Sequence, residues 1–162
     1  KYKGCDRMRI RQANMKDMKP LAAILSEIDE IHITKRPDVF KEKSNEDIRN
    51  NIEELMRDSN YMIWVSEDND IIQGAIVCKI REIQNHTNLK DAKVLWINDI
   101  CVKEEYRRSG IGHILIEKAK ELARENDCIR MELNCWELNE NAIKFYYNEG
   151  LRTQKRDMEI QI

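Results

Sequence analysis

The chain has 162 residues, 41% of them hydrophobic and 36% charged, and its 28 basic and 30 acidic side chains leave a net charge of −2. That length suits one domain with its own core, expected over residues 1–162, and the balanced charge lacks the electrostatic footprint of a general nucleic-acid binder. No apolar run approaches the ~20 residues that cross a bilayer, and the charged start from Lys1 to Ile10 does not read as a signal peptide, so no membrane association is expected.

Taken in chain order, Arg7 to Ala13 alternates weakly and predicts a first strand. Met18, Leu21, Leu25 and Ile28 recur at helical spacing, with Asp17 as the expected N-cap and Pro20 in the first turn. His32 to Lys43 holds Pro37 and little periodicity, and predicts a loop. A second helix is expected over Asn45 to Arg57, with Ile48, Ile52, Leu55 and Met56 inward.

Tyr61 to Ser66 and Ile71 to Ile80 read as a hairpin turning at Glu67 to Asp70. Val94 to Val102 reads as a central strand, apolar on both faces except at Asn98 and Asp99. Gly112 to Arg124 is the clearest helix, with Ile111, Leu115, Ile116, Ala119, Leu122 and Ala123 on its buried face. Ile129 to Cys135 alternates as a strand. Asn139 to Asn148 predicts a short helix ended by Gly150, and Met158, Ile160 and Ile162 predict a last strand. The whole is a mixed α/β domain on a central sheet.

Cys5, Cys78, Cys101, Cys128 and Cys135 are odd in number, and no pair has C-x-x-C spacing. Free thiols in a reducing cytoplasm are expected rather than disulfides, and no metal site.

Between the central strand and the strongest helix lies Arg107-Arg108-Ser109-Gly110-Ile111-Gly112. A helix start leaves its first N–H groups without partners and carries partial positive charge, which suits phosphate oxygens. The two glycines leave room for close approach, and the two arginines add charge. No G-K-[ST] follows and no third glycine stands at dinucleotide spacing. By itself the segment is also compatible with a tight strand-to-helix turn and solvated arginines.

Arg107-x-x-Gly110-x-Gly112 resembles the first signature of the GNAT superfamily of N-acetyltransferases, Gln/Arg-x-x-Gly-x-Gly/Ala. Asn139-x-x-Ala142-x-x-Phe145-Tyr146, followed by Gly150-Leu151, resembles its second, with Leu151 replacing the usual Phe. The resemblance spans about Val94 to Leu151 and implies a GNAT-like acyl-CoA N-acyltransferase fold, with a mostly antiparallel sheet flanked by helices. It further implies transfer of an acetyl group from acetyl-CoA to a primary amine, small-molecule or peptide, by direct attack in a ternary complex. The pantetheine arm would follow Ile100, Cys101 and Val102. The pyrophosphate would sit on Arg107, Arg108, Ser109, Gly110, Ile111 and Gly112, with Asn139 touching the cofactor. Homodimers are common in the family.

The reaction needs a neutral amine, a stabilised oxyanion and a proton for the departing thiolate. Tyr146 is the candidate acid, against the alternative of a tyrosine packing its ring on the helix's apolar face; Tyr147 points about 100° away. Neutralising a lysine-like amine at pH 7 costs roughly 4.6 kcal/mol, against about 1 kcal/mol for an α-amine. Asp99 is the nearest candidate base, or else a polar residue at a strand irregularity; Glu30 and Glu132 are weaker choices. A bulge near Ile100 to Val102 would free a backbone N–H for the oxyanion. His32, Arg36 and Phe40 either line the acceptor site or are ordinary loop residues. His113 reads as a helix-surface residue, and Trp64, Trp96 and Trp136 as packing residues. Two other classes stay open: a non-catalytic acyl-CoA sensor, and an interaction module using the Arg107-Arg108 turn.

Overall fold

A computed structural model describes residues 8–162; Cys5 and the Arg7 end of the predicted first strand lie outside them. The elements are β1 (Arg9–Gln12), α1 (Met18–Lys35), α2 (Asn45–Arg57), β2 (Tyr61–Asp68), β3 (Ile71–Ile83), β4 (Ala92–Val102), α3 (Ile111–Glu125), β5 (Arg130–Glu132) and α4 (Glu140–Asn148). Short 3-10 turns precede α1 at Met15–Asp17 and follow β4 at Glu104–Tyr106.

The sheet runs β1-β2-β3-β4-β5, with every neighbouring pair antiparallel except β4 and β5. That last pair is parallel because α3 carries the chain across the sheet between them. The β2–β3 hairpin turns on Asn69 and Asp70, both at positive φ, 50° and 63°. Two such residues match the twist of the flanking strands, so β2 reaches Asp68 and the turn is shorter than the four residues expected.

Each sheet face buries one cluster. Ile76, Cys78, Leu95 and Ile97 pack under Ile111, Leu115, Ile116, Ala119, Leu122 and Ala123 of α3, the six positions its periodicity marks. Ile63, Val65, Ala75, Val77 and Cys101 pack under Leu21 and Ile24 of α1 and Ile52 of α2.

One irregularity decides what faces which side. Asp99 of β4 stands opposite Val77, but Ile97 stands opposite Cys78, so Asn98 is an inserted residue. Such a bulge reverses the alternation beyond it. Leu95 and Ile97 face α3, and past the bulge so do Ile100 and Val102, while Cys101 turns to α1 and α2. The bulge therefore lies upstream of the expected stretch, and it aims Asp99 at the α1–α2 side.

Four other expectations are corrected. The segment from His32 is not all loop: α1 continues to Lys35, placing His32 on the helix and Arg36 at its C-cap, just before Pro37. Asp17 holds the N-cap position of α1 as expected but without the side-chain bond of a cap; it accepts the Asn14 N–H and pairs with Arg11. β5 is three residues, because only Arg130, Met131 and Glu132 find partners, in Val94, Leu95 and Trp96. Met158, Ile160 and Ile162 form no strand; Met158 and Ile160 are 95% and 85% exposed, alternating as a strand would but paired with none among the described residues. No helix among the described residues is long and apolar enough to cross a membrane.

Candidate active site

Past Trp96, β4 runs on to Val102 while β5 has already ended, so the two strands part. Four side chains from three segments converge at this opening. Asp99 and Cys101 come from β4, Cys135 from the segment after β5, and Tyr146 from α4. Burial pushes the Tyr146 hydroxyl above its ordinary value, and neighbouring Cys135, Asp99 and Cys101 push the same way. Tyr147 faces out, its hydroxyl 2.7 Å from the Thr153 hydroxyl.

Burial likewise raises the Asp99 carboxyl above the usual range, and Asp29 adds to it; an Asn98 amide donating at 2.6 Å, Lys43 and His32 pull the other way. The Cys101 thiol is pushed up to about 11 and the Cys78 thiol to about 12, both by burial first. Cys128 and Cys135 are half-buried, and these four thiols are free.

The turn before α3 has the shape of an anion cradle. Arg108 and Gly110 take positive φ, 63° and 91°, which turns successive N–H groups into one concavity. Ile111, Gly112 and His113 open the helix, where N–H groups have no carbonyl four residues back within it. The Ser109 hydroxyl donates to the Tyr106 carbonyl, closing the turn.

Arg107 does different work from that expected. Its Nε donates to the Val102 carbonyl at 2.9 Å and its Nη2 to Glu27 of α1 at 2.7 Å. Glu27 also accepts the Glu104 N–H at 3.2 Å. Arg107 thus braces the turn to the sheet and to α1, while the Arg108 side chain stays exposed. Gly112 also has another reason to lack a side chain: a Cβ there would meet the Phe145 ring at 3.0 Å. The second glycine lets α3 and α4 touch beside the cradle. Asn139 caps α4, its side chain accepting the Ala142 N–H at 3.3 Å.

His32, Arg36 and Phe40 do meet, around Trp136. His32 stacks on Phe40 with centroids 4.9 Å apart, and Phe40 meets Trp136 edge-on at 5.3 Å. Arg36 lies over the Trp136 ring at 5.3 Å and pairs with Asp38 and Glu159. Burial lowers the His32 imidazole, with Asp29 and Asp99 opposing. Trp136 packs at the edge rather than in the core: it is 37% exposed and lies against His32 and Phe40. Trp64 packs against the α3-side core as expected, and Trp64 and Trp96 also carry Lys118 and Arg81 over their rings.

Glu132 is bound by Arg130 and Gln154 at the outer edge, and Glu30 is exposed. His113 is on the surface as expected, with Glu149 at 2.8 Å. Glu27, Asp29 and Lys43 carried no sequence signal beyond being polar breaks in or after α1's apolar stripe.

The sequence matches the Acetyltransferase (GNAT) family over residues 25–150. The chain belongs to that family. N-alpha-acetyltransferase 30 of Homo sapiens is 36% identical over 83 residues, 51% of this chain and 22% of that protein. Thialysine N-epsilon-acetyltransferase of Sus scrofa is 36% identical over 58 residues, 36% of this chain and 34% of that protein. The matches therefore span about a fifth to a third of these relatives' own length. Among solved structures, the BH1408 protein of Bacillus halodurans, as a tetramutant, superposes at TM-score 0.88 with 25% identity, covering 95% of this chain and 99% of that one. The aminoglycoside N-acetyltransferase AAC(6')-Iy, solved with CoA, superposes at TM-score 0.75 with 15% identity over 96% of this chain and 94% of that one, a likeness of fold.

Proposed function

We propose that this GNAT-family chain is an acetyl-CoA-dependent N-acetyltransferase that passes the acetyl group directly to a primary amine in a ternary complex. The observation that carries the reading is the pairing of an anion cradle at Arg108–Gly112 with a strand opening where Asp99 lies near enough to the buried Tyr146 hydroxyl to raise it further. An acyl carrier with a pyrophosphate at one end and a thioester at the other spans such a pair of features.

In this reading the cradle N–H groups and Arg108 hold the pyrophosphate, and Ile100, Cys101 and Val102 flank the pantetheine arm. The arm's amides would meet the β4 edge that β5 leaves unpaired. A β4 amide freed at the Asn98 bulge would donate to the developing oxyanion. Asp99 takes a proton from the acceptor amine, directly or through water, and Tyr146 donates to the departing thiolate. A phenol is a weaker acid than a thiol by about 1.5 pH units in water, roughly 2 kcal/mol. The buried thiol of Cys101, at about 11, shows that this side of the sheet raises thiols as well as phenols. Burial raises the Tyr146 phenol at least as much, so the transfer stays uphill and Tyr146 acts chiefly by hydrogen bonding to the developing thiolate. His32, Arg36, Phe40 and Trp136 form the wall from which the acceptor enters.

Calorimetric titration with acetyl-CoA, beside a folded Gly110→Trp variant, tests the reading. Micromolar binding by the parent and none by the variant is expected, followed by amine-dependent CoA release. A folded parent that binds no acetyl-CoA overturns it.

A further inference from the structure

Behind Asp99, between α1, α2 and β4, lies a cavity of about 190 Å³ lined by Leu25, Ser26, Asp29, Lys43, Asn51 and Asp99 among others. Asp99 is the wall it shares with the proposed reaction centre. The cavity already holds an ammonium: Lys43 Nζ, from the connection before α2, donates to Asp29 Oδ2 at 2.7 Å. Asp99 is close enough to feel both charges. Both partners of the Asp29–Lys43 pair remain a third exposed, so the pair is screened and separable.

Resting on the acetyltransferase reading, we propose that the acceptor is a small amine with a second cationic group, that Asp29 selects for that group, and that Lys43 is the internal cation it displaces. Three features fit. The space suits a few methylene groups and one ammonium rather than a folded chain. Apolar Leu25, Ile48, Ile52 and Leu55 would cover the methylenes, and Ser26 and Asn51 add neutral polar groups. Asp29 lines the cavity from α1, across from β4, and already holds one ammonium there, so its carboxylate is placed to bind a second one. An acceptor lacking the second charge would leave the Lys43 pair in place and gain nothing from Asp29.

The test compares 1,4-diaminobutane with n-pentylamine, which puts a methyl where the second ammonium would be. The parent is expected to show kcat/KM about tenfold higher for the diamine, a preference that Asp29→Asn abolishes mainly through KM. Lys43→Ala is expected to lower KM for the diamine and leave that for n-pentylamine unchanged. Equal kcat/KM for the two amines in the parent, or a preference that survives Asp29→Asn, overturns the inference while leaving the acetyltransferase reading intact. Acetyl-CoA binding with no turnover of either amine overturns the inference alone; a folded parent that binds no acetyl-CoA overturns the reading, and the inference with it.

Discussion

Tyr146 and Asp99 carry opposite charges of risk at the site. Burial holds Tyr146 protonated across the neutral range, so it is a donor at every working pH. Tyr146→Phe is expected to lower kcat by about 100-fold with little change in acetyl-CoA affinity, read by steady-state kinetics and calorimetry. For Asp99, burial raises the folded-state value above the unfolded one. The protonated form is therefore favoured by folding, and the stability this contributes is present at low pH and lost as pH rises through the folded value. Asp99→Asn is expected to raise Tm relative to the parent at pH 7 and to make little difference below pH ~4, while removing the acid limb of the pH–rate profile. A Tm gain equal at both pH values would show that the carboxylate is not desolvated.

At the scale of elements, the contact between α3 and α4 at Gly112 and Phe145 ties the cradle to the helix that carries Tyr146. Gly112→Ala places a methyl about 3 Å from the ring and is expected to weaken acetyl-CoA binding and lower Tm together, with Phe145→Leu in the same chain restoring part of both. Recovery of neither would mean that the ring is not the obstacle. Helix α3 was fully legible in the sequence because its six apolar positions follow one period and are satisfied by whatever sheet they meet. The hairpin and α2 were legible for similar local reasons: a polar turn at Glu67 to Asp70 between two β-rich runs, and Ile48, Ile52, Leu55 and Met56 at helical spacing. β5 was not, since the alternation from Ile129 to Cys135 reports an extended chain but not how much of it finds a partner. The same holds for Met158 to Ile162.

The whole molecule assembles a site from pieces far apart in the chain, and this is where sequence reading ran out. Both signature segments could be found at sight, because each is a local turn with its own residue demands. The wall of His32, Phe40 and Trp136 joins residues about a hundred positions apart, and no spacing announces it. The bracing of Arg107 by Glu27 is equally remote; a motif arginine reads as a phosphate ligand until its partner on α1 is seen. The bulge at Asn98 is the most consequential of these, because one inserted residue decides that Asp99 looks toward α1 and α2 rather than into the α3 core.

The parting of β4 from β5 has a consequence for solvent exchange. Amides of residues 97–102 that point away from β3 have no strand to shield them, although β4 is an interior strand of the sheet. Their deuterium uptake in the free protein is expected to be fast, like that of an edge strand, and to slow sharply once an acyl-CoA arm lies along them. Protection confined to those amides and the start of α3 would trace the ligand's path in a single experiment, and uptake unchanged by acetyl-CoA would mean that the arm runs elsewhere.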